Sequence, residues 1–328
     1  MKFVTYARTE DAEPRFGFVR GNWIVDVSYA AIYMNKSQGN QEFLSIPNSL
    51  QRALENWVES FEKLKKLDSS LSDSLIHTYS INGECVVTAK DLVVFFPPVP
   101  APRTFRDFYA FEQHVKSARH SRGLEMDPLW YELPIFYFSN PTSLYGHQNN
   151  VPYPTSIKEL DYELEFAVII ANSGRNISIQ NAEKFIGGYT ICNDWSARDL
   201  QREEMRLNLG PSKGKDFATS FGPYMVTPDE LDDFIEQDGK FNLRMTCMVN
   251  GQLLSDGNTN DLYHSFPAMI ERASKNVTLH AGDYLGSGTV GTGCIFELKP
   301  ENTDGWLKKG DTITMEIDGL GVLENRIV

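Results

Sequence analysis

The stretch Leu160-Asp161-Tyr162-Glu163-Leu164-Glu165-Phe166-Ala167-Val168-Ile169-Ile170 constrains the fold most. Its apolar run, Phe166 to Ile170, is rich in β-branched residues and closes at Asn172-Ser173-Gly174, the pattern of a buried strand ending in a turn. Carboxylates precede it at 161, 163 and 165. Strand side chains alternate faces, so Glu163 and Glu165 are expected side by side at the mouth of an apolar element. Two neighbouring anions there repel and lose hydration unless a cation joins them. A hard divalent metal with oxygen ligands satisfies this. A solvated strand end, or pairing with Lys or Arg, satisfies it too.

The chain has 328 residues, a length suited to about two domains. A net charge of −13 argues against a nucleic-acid backbone or an anionic membrane as partner, and leaves room for a local basic pocket around a small acidic substrate. No apolar run reaches membrane-spanning length and the N-terminus lacks a signal-peptide core, so a cytoplasmic protein is expected. Cys85, Cys192, Cys247 and Cys294 show no C-x-x-C spacing and read as buried free thiols. The histidines (77, 114, 120, 147, 264 and 280) form no H-x-x-x-H pair, so a zinc site is not expected.

Residues 1–27 read as short strands with a turn at Arg20-Gly21-Asn22. A helix is expected over about 48–66, where Leu50, Leu54, Trp57, Val58, Phe61 and Leu64 recur at three- and four-residue spacing. Val93 to Phe96 is a further strand. Pro97, Pro98, Pro100 and Pro102 then mark a domain boundary, giving a small β-rich domain over 1–100 and a larger one over 101–328. In the larger domain a loop and helix carry His114, and Arg119, His120 and Arg122 form a basic cluster. Tyr131 to Tyr145 is strand-like. A strand ends near Asp194 and passes into a helical turn with Arg198 and Gln201. Hairpin strands flank Asn250-Gly251, a helix spans about 264–274, and strands cover Ile313–Ile317 and Val322–Val328. Gly286-Ser287-Gly288-Thr289-Val290-Gly291 fits G-x-G-x-x-G, but Cys294 to Leu298 reads as a strand, not the helix a dinucleotide loop needs.

Asp107-Phe108-Tyr109 followed by His114, Asp161-Tyr162-Glu163-Leu164-Glu165, Asn193-Asp194-Trp195-Ser196-Ala197-Arg198-Asp199-Leu200-Gln201, Lys215 and Gly288-Thr289-Val290-Gly291 occur in that order. Together they resemble the fumarylacetoacetate hydrolase family, in its bacterial-type two-domain form, over roughly 103–297. The resemblance implies a mainly β (α+β) fold: a mixed β-sandwich roll in the C-terminal domain, with a small N-terminal β-domain. It implies a homodimer with one divalent metal per chain, Mg²⁺ or Ca²⁺ with Mn²⁺ possible, held by Asp107, Glu163, Glu165 and Asp194. It also implies His114 as general base, oriented by Glu297, with Arg198, Gln201 and Lys215 polarising the substrate. Tyr109, Arg122, Tyr137 and Thr289 would hold it. Arg198 has a structural alternative, a salt bridge to Asp194 or Asp199. A tyrosine that follows the glutamine motif in fumarylacetoacetases is replaced here by Met205 or Arg206.

The activity the resemblance implies is metal-dependent C–C hydrolysis of a β-diketo acid, with fumarylacetoacetate in tyrosine catabolism as the leading substrate. Acylpyruvate hydrolysis, oxaloacetate-type decarboxylation and hydroxymuconate-type isomerisation are the alternatives within the family. A catalytically inactive, metal-stabilised binding protein is the alternative outside enzymology.

Overall fold

The computed structural model describes residues 1–9, 11–39, 41–72, 79–81, 83–237 and 239–328; His77 lies outside them. The expected N-terminal strands form at Lys2–Ala7, Arg15–Arg20 and Trp23–Asp26. A helix that the sequence pattern did not reveal follows at Val27–Gln38, where Asp26 accepts from the Tyr29 amide and Gly39 closes the other end in the left-handed region. The helix expected over about 48–66 is two, Leu50–Glu55 and Trp57–Ser70. Asn172 causes the break: its side chain accepts from the Trp57 amide and its own amide donates to Leu54.

These strands join a 12-stranded mixed sheet. Its main order is Val87–Ala89, Trp23–Asp26, Arg15–Arg20, Lys2–Ala7, Thr219–Val226, Ile186–Asn193, Leu164–Ile170, Tyr284–Gly286, Phe105–Phe108 and Phe136–Ser139. A second sheet has five strands: Asn150–Val151, Gly321–Ile327, Thr312–Ile317, Arg244–Val249 and Gln252–Asn258. Asn250 and Gly251 both take positive φ in the hairpin turn, as a two-residue loop of this kind requires.

Period-two alternation explains the unbroken apolar run. Phe166, Val168 and Ile170 enter a core shared with Met245, Met315 and Leu323 of the smaller sheet. Ala167 and Ile169 enter the opposite core, with Phe3, Leu50, Leu54 and Trp57. A strand covered on both faces has no polar side to show.

The proline-rich segment is not a free tether. Pro97, Pro98 and Val99 are buried. Thr5 donates to the Pro98 carbonyl at 2.6 Å, and the Val99 amide donates to the Tyr284 hydroxyl at 2.7 Å. Lys2 and Phe3 pair with Val226 and Met225, so the first hundred residues complete the large sheet. Two further expectations are corrected. Cys294 to Leu298 is not a strand, because Ile295–Leu298 is a one-turn helix, and Cys85 is exposed. The stretch Tyr131 to Tyr145 begins in the end of a short helix, Pro128–Glu132, and then forms the strands Phe136–Ser139 and Leu144–Tyr145. No helix among the described residues is long and apolar enough to cross a membrane.

Candidate metal centre and active site

Three strands of the large sheet bring the carboxylates together. Asp107 pairs in register with Gly286, and Gly286 with Ala167, two residues beyond Glu165. Asp194 follows directly on Ile186–Asn193, whose last residue pairs with Leu164. One carboxylate oxygen from each of Asp107, Glu165 and Asp194 lies within 4.8 Å of the others, and all three residues are buried. The strand between them carries no side chain at this point: a Cβ on Gly286 would stand 2.5 Å from Asp107 Oδ1 and 2.8 Å from Glu165 Oε2. Both Glu165 oxygens and Asp107 Oδ1 are buried, and no hydrogen-bond donor among the described residues reaches them.

Burial, followed by the negative charge of neighbouring carboxylates, pushes Asp107 and Glu165 well above the ordinary carboxylate range. Burial also raises Asp194, against the pull of Lys215. Orphaned, mutually repelling carboxylates in a glycine-cleared space fit a hard divalent cation.

Glu163 is not among the three whose oxygens meet, although it shares Lys215 with Asp194. The strand is interrupted at Tyr162 and Glu163, and the Glu163 carboxylate is 2.5 Å from Lys215 Nζ and 2.8 Å from Arg198 Nη2. Burial alone would raise its pKa, but Lys215 and Arg198 hold it below the usual range. Lys215 also donates to Asp194 Oδ2 at 2.6 Å. Those two carboxylates keep it charged against the cost of burial.

Arg198 pairs with neither Asp194 nor Asp199. Its partner besides Glu163 is Asp161, 2.8 Å from both Nε and Nη2. Gln201 accepts from Arg198 Nη1 at 3.0 Å. Asp161 was quoted in the sequence motif without a role, yet it is fully buried and also accepts from the Ile295 and Phe296 amides at 2.8 and 3.0 Å. Those amides open the turn that carries Glu297. Their occupation by Asp161 removes the anion slot that a G-x-G-x-x-G reading would need.

Glu297 Oε1 and His114 Nδ1 form a short hydrogen bond. An ionised carboxylate only accepts, so Nδ1 carries the hydrogen and Nε2 is left as the nitrogen with a lone pair. Tyr109 meets the His114 ring edge-on, with centroids 5.5 Å apart. Glu112, the carboxylate on the same helix as His114, is bonded instead to Tyr131 and Lys116. Tyr137 donates to Asp194 Oδ2 at 2.6 Å.

A cavity of about 790 Å³ opens between these groups. It is lined by Asp107, Tyr109, His114, Arg122, Tyr137, Glu163, Glu165, Arg198, Gln201, Lys215 and Thr289. Asp194 and Glu297 stand behind Tyr137 and His114. The sequence reading missed one wall, formed by Phe296 and the segment from Met205 to Pro211. Only the Met205 and Arg206 positions had drawn attention there.

The comparisons with known proteins follow this geometry. The model of the fumarylacetoacetate (FAA) hydrolase C-terminal domain matches residues 103–328. The chain belongs to the fumarylacetoacetate hydrolase family. It is 34% identical to the mitochondrial oxaloacetate tautomerase Fahd2a of Rattus norvegicus over 60% of this chain and 59% of that protein. It is 32% identical to the oxaloacetate tautomerase YisK of Bacillus subtilis over 70% of this chain and 71% of that protein. The chain thus spans about three fifths of the mitochondrial relative's length. Its fold is similar to that of a fumarylacetoacetate hydrolase from Exiguobacterium antarcticum, with TM-score 0.73, 25% identity, and coverage of 100% of this chain and 99% of that one.

Two outcomes are expected of this family member. Asp107 and Glu165 bind protons more readily folded than unfolded, because their folded pKa values are raised. Stability of the metal-free protein should therefore fall as pH rises from the ordinary carboxylate range through the raised values. Mg²⁺ should flatten or reverse that slope, since it binds the deprotonated site. Thermal melts across mildly acidic to mildly alkaline pH, with chelator and with Mg²⁺, check this; a slope indifferent to Mg²⁺ would contradict it. Asp161→Asn should lower kcat by about 10- to 100-fold, the usual cost of losing a partner that orients site residues. Steady-state kinetics with a circular-dichroism control of folding decides it.

Proposed function

We propose that this chain is a divalent-metal-dependent enzyme that interconverts the enol and keto forms of a small 2-oxo dicarboxylic acid of the oxaloacetate type. The observation that carries the reading is one cavity lined by His114, whose Nδ1 is bonded to Glu297, and by Asp107 and Glu165 of the carboxylate cluster, with Arg198, Lys215 and Arg122 among its other charged groups. Proton transfer between an oxygen and the neighbouring carbon needs one acid–base group and a charge-stabilised enolate. Hydrolysis needs a held water as well. The similarity to oxaloacetate tautomerases supports the simpler reaction over fumarylacetoacetate hydrolysis, the leading expectation from the sequence.

A divalent cation held by Asp107, Glu165 and Asp194 would supply Lewis-acid stabilisation of negative charge on a substrate oxygen. His114 Nε2 takes the proton from the enol hydroxyl, and Glu297 stabilises the imidazolium that results. The imidazolium then delivers the proton to the other carbon of the double bond, next to the one that bears the oxygen, leaving the ketone. Arg198, held flat by Asp161 and Gln201, and Lys215 present positive charge to the enolate. Arg122, Tyr109 and Thr289 line the same cavity and would hold the substrate's ends.

The test is stopped-flow absorbance of the oxaloacetate enol with Mg²⁺ and with chelator, alongside fumarylacetoacetate and acylpyruvates with product identification. Chelator-sensitive acceleration of ketonisation supports the reading. Cleavage of fumarylacetoacetate with the enol left at its background rate would sink it.

A further inference from the structure

We propose that His114, Cys294 and Glu297 form a second metal site, selective for a thiophilic divalent cation such as Zn²⁺, whose occupation disables the His114–Glu297 pair. The site itself is independent of the tautomerase reading; only the inhibitory consequence rests on it.

The three side chains offer one nitrogen, one sulfur and one oxygen, all within 4.8 Å of one another. Cys294 Sγ lies 3.9 Å from Glu297 Oε1, the same oxygen that bonds His114 Nδ1. Zn²⁺ binds such donors at about 2.0–2.3 Å with tetrahedral geometry, and three protein ligands leave its fourth position for water. The sulfur–oxygen separation already suits an ion of that size. The nitrogen–oxygen pair would open by roughly 1 Å to admit it.

The surroundings favour a built site over a chance cluster. Cys294 is fully buried, and the His114 and Glu297 side chains are 7% and 4% exposed. Glu297 Oε2 accepts from the Thr292 amide at 3.3 Å, which fixes the carboxylate with Oε1 toward the other two donors. Of the three donors His114 alone lines the cavity, so the site is entered past its ring. Burial, with the charge of Asp161 beside it, holds the Cys294 thiol protonated, so it is inert until a metal displaces the proton.

The two clusters differ in softness. Asp107, Glu165 and Asp194 are all oxygen and suit Mg²⁺, Ca²⁺ or Mn²⁺. The set of imidazole, thiolate and carboxylate suits Zn²⁺ or Co²⁺. Zn²⁺ would replace the Nδ1–H···Oε1 bond, consuming the proton relay while leaving the carboxylate site free for its own cation.

The experiment adds Co²⁺, then Zn²⁺, to Mg²⁺-saturated full-length protein. Wild type should show the near-ultraviolet thiolate-to-Co²⁺ absorption with one equivalent bound, displaced by Zn²⁺. Cys85→Ser should keep the band, since Cys85 is exposed and remote in the fold. Cys294→Ser should lose it, keep Mg²⁺-supported turnover, and become at least about tenfold less sensitive to Zn²⁺. Glu297→Gln should weaken Co²⁺ binding, a check that does not depend on Cys294→Ser folding. A thiolate band that is absent from wild type or persists in Cys294→Ser would overturn the proposal, as would equal Zn²⁺ inhibition of both proteins. If no substrate turns over, the spectral arm still decides the site, and only the tautomerase reading fails.

Discussion

Glu297→Gln is expected to lower kcat by about 10²–10⁴-fold, the range for a lost acid–base function, with KM little changed. Gln keeps the shape and can still accept the Nδ1 hydrogen, but it brings no charge to stabilise an imidazolium. His114→Ala should fall equally far, and the double variant no further, because the pair acts as one unit. Two controls separate this from a local effect of the helix. Glu112→Gln should be close to wild type, because its carboxylate is engaged by Tyr131 and Lys116. Ser117→Ala should be nearly silent. If Glu112→Gln were dead and Glu297→Gln active, the assignment of the proton relay would be wrong.

Glu165→Gln is expected to cost more than about 10²-fold in affinity for Mg²⁺ or Mn²⁺, since even partners outside the ligand set cost 10- to 100-fold. Both Glu165 oxygens are without a donor among the described residues, so this residue has much to gain from a cation. The variant should therefore also melt higher than wild type in chelator and lower in Mg²⁺, because removing one charge relieves repulsion with Asp107 and Asp194. Asp194→Asn should lose metal affinity too, but it leaves Lys215 short of a counter-ion and should destabilise the fold as well. Glu163→Gln separates the two kinds of carboxylate. Its oxygens are held by Lys215 and Arg198, so its main effect should fall on kcat. Calorimetric titration beside thermal melts reads all three; unchanged affinity in Glu165→Gln would refute the ligand assignment.

The sequence made much of this site legible because its chemistry sits in short, dense motifs. The unbroken apolar run from Phe166 to Ile170 announced a buried strand, and the carboxylates before it pointed to a cation, metal or Lys and Arg, as one way to hold them. The Glu297 partner was also legible, although its backbone was misread. Four residues cannot separate a helical turn from a strand by period, and Cys294-Ile295-Phe296 looks equally apolar in either. What remained hidden depended on contacts distant in sequence. Glu163 and Glu165 keep strand spacing, yet a break at Tyr162 and the arrival of Lys215 and Arg198 send their carboxylates to different partners. Asp161 orients Arg198 and holds the turn bearing Glu297, 134 residues away from Ile295, and nothing local marks that task. The run of prolines over 97–102 has the composition of a linker. Its burial follows from the pairing of Lys2–Ala7 with Thr219–Val226, which sequence spacing does not reveal.

The most direct measurement is an anomalous difference map from a crystal of the full chain grown with Mn²⁺ in place of Mg²⁺. One strong peak is expected, bounded by Glu165, Asp107 and Asp194. A map with no peak there, or with the ion elsewhere and these carboxylates still unpartnered, would contradict the ligand assignment.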